Sequence, residues 1–322
     1  MAHNLNFNNG RASMMYFGAP PWHQLGQKLD HPATAAEAIE QAGLNFEVRK
    51  RPLRTVIRGR KQIEIPDHFA TVRMDTGDVL GVVGSRYEPV QNRDAFVFFD
   101  PLVDRSESIY HTAGALGTGS KIWILAKLPD YIRVGKKNDP VEKYLLLYNS
   151  HDGSSHIRVK LTPIRVVCNN TLSTALSGSE QEVRIKHTPS ATEKLAEAHQ
   201  LLGLTNSLYQ QLDYILNRMS LAKVSERELL QYVKSLVPDN PEAENKTRTE
   251  NIRKKILEIH ESQPDAAMHR GTLFGAYNSI TEFCDHFGTS DDANKRLRSI
   301  WFGGGEKLKQ KAFSLAEQML NN

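Results

Sequence analysis

The hydrophobic period of the chain changes once, at Thr188–Pro189, and that change limits the fold more than any other feature. From 46 to 187 apolar residues alternate with polar ones or come in short runs broken by Gly, Asp and Pro. This is the pattern of half-buried strands joined by tight turns. After Pro189 apolar residues recur every three or four positions, the spacing of amphipathic helices. Strands segregated from helices predict an α+β fold, with an antiparallel, hairpin-rich sheet in the N-terminal half and a helical C-terminal half.

Three hairpins are expected in the first half: Ala70, Val72 and Met74 returning through VLGVVG, SIYHTAGAL with KIWILAKL around GTGS (117–120), and KYLLLYNS with SHIRVKL around HDG (151–153). EVRIKH (182–187) is a last alternating run. A helix should start at Thr34, where Glu37 completes a capping box and Gly43 supplies the stop. Asn92 is placed to cap a second. In the second half Leu195, Ala198, Leu202, Leu208, Leu212, Ile215 and Met219 form one stripe of a long helix, and Ser225 with Glu228 caps the next. The organisation expected is a mobile, Asn/Gly-rich segment over 1–15, a sheet domain over 16–189 and a helical region over 190–322.

The 322 residues contain two cysteines 116 positions apart, which gives neither a disulfide framework nor paired zinc ligands. No apolar run approaches the roughly 18 residues of a membrane span, and the N-terminus lacks the regions of a secretory signal. The cytoplasm is the expected compartment, with no membrane partner and no cofactor. GALGTGSK (114–121) almost spells a phosphate-binding loop, but Ser120 precedes Lys121 and a β-forming run follows where a helix must open. It reads as a glycine hairpin.

Charge is the more useful guide. Residues 1–189 carry 24 Lys/Arg against 19 Asp/Glu, whereas 190–322 carry 17 against 18. FEVRKRPLRTVIRGRK (46–61) concentrates seven basic side chains with one acid. In HIRVKLTPIR, Ile157, Val159 and Leu161 fall on one face of a strand and His156, Arg158 and Lys160 on the other. Arg165 lies just beyond, and Arg184 and Lys186 repeat the arrangement in EVRIKH. These strands, together with Arg49, Lys50, Arg51 and Arg54, could share one cationic face for phosphate contacts. Tyr110, Trp123 and Tyr148 lie in the same region as stacking platforms or as core. A solvated sheet face is the competing reading of each strand taken alone.

An enzymatic reading rests on Cys168, in RVVCNNTLSTAL, a strand entering a helix, with His151 or His156 as its base. Against it, Val166 and Val167 precede the cysteine, and a buried free thiol behaves as a small hydrophobe. His151, Asp152 and His156 match no common metal-site spacing.

PWHQLG (21–26), LGVVGSRYEPVQNRDAF (80–96), TAGALGTGSKIWILAKLP (112–129) and NSHDGSSHIRVKLTPIRVVCNNTL (149–172) resemble the phage/plasmid-like family bearing domain of unknown function 932. GTLFGAYNSITEF (271–283) and WFGGGEKLKQKAF (301–313) are similar to its C-terminal motifs. The resemblance implies a mobile genetic element in a bacterial cytoplasm and carries no activity. The basic-faced meander with helices also resembles, in architecture alone, phage-type single-strand annealing proteins. The function expected is ATP-independent binding, and annealing, of single-stranded nucleic acid by a homo-oligomer. The alternatives are a Cys168-dependent hydrolase or transferase, and a protein-interaction module of a phage.

Overall fold

The computed structural model describes residues 5–18, 25–57, 59, 61–99, 109–136, 138–165, 170–171, 182–195, 203–239, 247–262, 269–288 and 299–321. Among the described residues fourteen strands run through the first half: β1 (Phe7–Asn8), β2 (Arg11–Ala12), β3 (Met14–Phe17), β4 (Gln27–Leu29), β5 (Val48–Ile57), β6 (Lys61–Arg73), β7 (Val79–Gly84), β8 (Ile109–Leu116), β9 (Lys121–Val134), β10 (Asp139–Ser150), β11 (Ile157–Leu161), β12 (Ile164–Arg165), β13 (Asn170–Thr171) and β14 (Glu182–Ile185). Helices α1 (Ala35–Gln41) and α2 (Asn92–Val97) lie between them. The second half holds α3 (Gly203–Leu221), α4 (Glu226–Leu236), α5 (Thr247–Ser262), α6 (Leu273–Glu282), a π-turn (Phe283–Phe287) and α7 (Gly304–Asn321). The α+β class and the order of its halves are those read from the period change.

The strands form two main sheets. In the larger, β13, β12, β10, β9, β8, β3 and β4 lie side by side, with β11 and β14 added along β10. Its backbone is the β8–β9–β10 meander, and among the described residues only β3–β4 is parallel. The smaller sheet is β5–β6–β7. All three expected hairpins are present.

The helices cover one face of the large sheet. Ile124, Leu145, Leu147, Val159 and Leu161 share a continuous core with Leu212, Leu216, Phe274, Ile280 and Phe313, so strands and helices are held by one apolar interior. α6 is the centre of that interior, buried along its whole length. The stripe residues Leu195, Leu212, Ile215 and Met219 are buried as expected, whereas Ala198 and Leu202 lie outside the described residues.

The opposite face of the large sheet is also covered. Trp123, Leu125, Tyr144 and Leu146 pack with Leu5, Met14 and Tyr16 from the N-terminus and with Ile300 and Trp301 ahead of α7. The expectation of a mobile 1–15 segment is therefore corrected from Leu5 onward. Leu5, Ala12, Met14 and Met15 are buried, and β3 pairs with β8.

Local signals acted where they were read. Thr34 and Glu37 form the reciprocal capping box of α1, and Ser225 and Glu228 that of α4. Asn92 does not cap α2: Gln91 holds the cap position, without a side-chain bond. The Asn92 amide instead donates to the Leu44 carbonyl at 3.0 Å, and its oxygen meets His151 Nε2 at 2.8 Å.

Candidate nucleic-acid interface

The nine cations expected to share a face occupy two sheets and several environments. On β11 the alternation is as read: Arg158 faces Tyr148, and Lys160 faces Leu146 across β10. That side of the sheet, however, is the covered one. Lys160 is largely covered, its side chain 11 % exposed; it donates from Nζ to the Trp301 carbonyl at 2.6 Å and lies 3.2 Å from Glu306 Oε1. Burial pulls its pKa below the ordinary lysine value. Arg158 stacks its guanidinium 4.0 Å from the centre of the Phe302 ring and forms a two-pronged ion pair with Glu182.

β14 pairs Arg184 directly opposite Arg158, an unfavourable like-charge register. Glu182 resolves it by bonding both guanidiniums, Arg184 at 3.2 Å. Lys186 is exposed at the end of the strand. The Arg165 side chain and Cys168 lie outside the described residues. The cationic strand is thus a cationic interior strand, matched by carboxylates and roofed by the Trp301–Phe302 corner.

The charges continue inward. Lys309, fully buried, lies 3.0 Å from Asp285 and 3.8 Å from Glu306. Burial acts against its charge, but the two carboxylates outweigh it and raise its pKa. HIRVK (156–160), TEFCD (281–285) and WFGGGEKLK (301–309) therefore meet in one ion network joining β11, the π-turn and α7. Within it the Cys284 thiol is pushed up to about 12 by burial, which removes it as a nucleophile at neutral pH.

His151, offered as a base, is buried, and burial lowers its pKa to about 3. Its role is to hold a joint. The His151 carbonyl accepts from Thr71 Oγ1 at 2.7 Å, and the following turn lies so close to β7 that a Cβ on Gly81 would sit 2.5 Å from Asp152 Cα. His156 is exposed on the same turn. Tyr110, Trp123 and Tyr148 are buried and cannot stack on a base. Among the described residues no three of His, Cys, Asp and Glu are grouped to hold a metal ion, and no helix is long and apolar enough to cross a membrane.

Sequence reasoning missed a polar cluster beside two β-bulges. His111 is the extra residue of β8, and opposite Lys143 of β10 the strand β9 carries the three residues Leu128, Pro129 and Asp130. Glu142 bonds Lys127, accepts from Tyr144 Oη at 2.5 Å and lies close to His111. Its carboxylate is already engaged by two donors. Bulges leave no mark in a hydrophobic pattern, so no sequence signal marked this cluster.

The remaining four cations lie on the small sheet. Lys50 folds inward, donating to the Ser85 and Tyr87 carbonyls at 3.0 and 2.7 Å. Arg49 pairs with Glu47 at 2.7 Å and Arg54 with Glu64 at 2.7 Å, both at exposed positions, and Arg51 is exposed. What distinguishes this region is its shape. β7 pairs with β6 only from His68 inward, so β5 and β6 run on as a two-stranded ribbon, Arg54–Ile57 against Lys61–Glu64. Four residues per strand extend about 14 Å at the usual rise. Arg54, Thr55, Val56, Ile57, Gln62, Ile63 and Glu64 are all exposed, so both faces of the ribbon are in solvent.

Its charge is equally distinct. Residues 49–68 hold seven Lys/Arg against two Asp/Glu, leaving 34 against 35 in the rest of the chain. The net charge of the protein is essentially that of the ribbon and its base.

Fold and surface together define a two-sheet α+β protein with a projecting basic ribbon. The chain belongs to the family described as a domain of unknown function (DUF932), which it matches over residues 79–301. No curated protein and no solved structure matches it. The matched region begins on β7, so the ribbon precedes it.

Proposed function

We propose that this protein binds single-stranded nucleic acid without ATP, and that the β5–β6 ribbon is the contact surface. The observation carrying this reading is the coincidence of the chain's positive surplus with a ribbon exposed on both faces and the strand segments at its base. Arg51 and Arg54 lie where a phosphate backbone can approach them, and neutralising phosphates releases condensed counterions. Val56, Ile57 and Ile63, interleaved with those cations, offer apolar surface to bases, which a single strand leaves accessible. The contact residues differ from those expected on β11, whose cations have partners inside the protein.

Fluorescence anisotropy with a labelled oligothymidylate at low salt tests the proposal. The wild-type chain binds, Arg51→Glu with Arg54→Glu weakens binding at least tenfold, and Glu64→Gln strengthens it by releasing Arg54. Equal binding by all three proteins, or none by the wild type, contradicts it.

A further inference from the structure

The ribbon carries apolar side chains that the fold does not use. Val56 is 60 % exposed, Ile57 45 % and Ile63 38 %, although each is a β-branched residue of the kind that fills cores. Thr55 lies directly opposite Ile63, and Ile57 is two positions on, so Ile57 and Ile63 are diagonal neighbours on one face. Val56 stands on the other face with Arg54. Both faces thus carry exposed apolar side chains between Arg54 and Lys61.

A projecting ribbon with exposed apolar edges invites pairing with other strands unless something else occupies it. Charge decides what that is. The ribbon's cations repel a second copy of the same ribbon and attract a polyanion. Apolar side chains set among phosphate-binding cations are an arrangement by which proteins enter a base step and unstack it.

Resting on the nucleic-acid reading above, we propose that the ribbon is a base-step wedge. Val56, Ile57 and Ile63 insert between neighbouring bases while Arg51 and Arg54 hold the phosphates. The activity this implies is local opening of duplex by binding alone, with no nucleotide hydrolysed and no covalent bond changed. The opened step is held because the apolar side chains replace the lost stacking.

The test uses the full chain and a duplex with 2-aminopurine at an internal A·T step, whose fluorescence rises on unstacking. The wild type raises the signal. Val56→Ser, Ile57→Ser and Ile63→Ser combined, all outside the core, still bind the duplex at raised protein concentration through the phosphate contacts of Arg51 and Arg54, but lose the rise even at saturation. Arg51→Glu with Arg54→Glu loses both. Wild-type binding to duplex without a rise, or a rise that survives in the serine variant, overturns the wedge and leaves single-strand binding standing. Failure to bind either form overturns both readings. Self-association in the absence of nucleic acid that the serine variant abolishes would assign the ribbon's apolar side chains to a second copy and overturn the wedge.

Discussion

Lys160 and Trp301 are 141 positions apart in sequence, and the ammonium of one donates to the carbonyl of the other at 2.6 Å inside the protein. This bond, with the Glu306 pair beside it, fastens the C-terminal corner to the sheet strand that the hydrophobic pattern presents as a cationic surface. Removing one partner leaves a buried charge without its counter-charge. Glu306→Ala should therefore cost about 3–5 kcal/mol in urea unfolding. Lys160→Met combined with Glu306→Leu should recover a large part of that loss, because no lone charge then remains at the β11 end. Additive losses in the double variant would contradict the coupling.

The joint between the two sheets is governed by space. A Cβ on Gly81 would lie 2.5 Å from Asp152 Cα and 2.7 Å from its carbonyl oxygen, both backbone atoms that cannot step aside. Gly81→Ala should destabilise the chain by about 1–3 kcal/mol. Gly304→Ala, where nothing lies within 4 Å of the added carbon, is the matched control and should be near neutral. Thermal unfolding of the two variants side by side checks this.

Acid should weaken the fold through its histidines. Burial lowers His151 to about 3 and His187 and His111 to about 4, from an ordinary value of 6.5. Each is held neutral in the folded chain but takes a proton in the unfolded chain below 6.5. Their contribution is thus complete above about pH 6.5 and is lost as pH falls towards the folded values. Each adds a slope of up to about 1.4 kcal/mol per pH unit across that window. Urea midpoints at pH 7.5, 6, 5 and 4.5 should fall progressively, and a flat profile from 7 to 5 would contradict the assignment.

The sequence reading succeeded where the determinants are local. The turn at HDG, the capping pairs Thr34–Glu37 and Ser225–Glu228 and the alternation of Ile157, Val159 and Leu161 each depend on residues a few positions apart. It failed where the answer lies far along the chain. Alternation puts Arg158 and Lys160 on the face away from Val159, but only Phe302, Trp301 and Glu306, some 140 residues later, decide whether that face meets water. Strand charge likewise did not reveal that β5 belongs to a different sheet from β11. The basic run at 46–61 was legible; its projection as a ribbon was not, because it follows from where β7 stops pairing at His68. Asn92 shows the same limit, its amide serving Leu44 and His151 where a helix cap was expected.

The salt dependence of single-strand affinity tests the central claim most directly. The wild-type chain is compared with a ribbonless one in which Asn-Gly replaces residues 54–64. Log affinity against log salt should fall for the wild type with a slope of about −0.7 for each phosphate contacted. The ribbonless chain, still folded by circular dichroism, should show affinity near the detection limit and a slope reduced by two or more such contacts. An unchanged affinity and slope without the ribbon would show that this surface is not where nucleic acid binds.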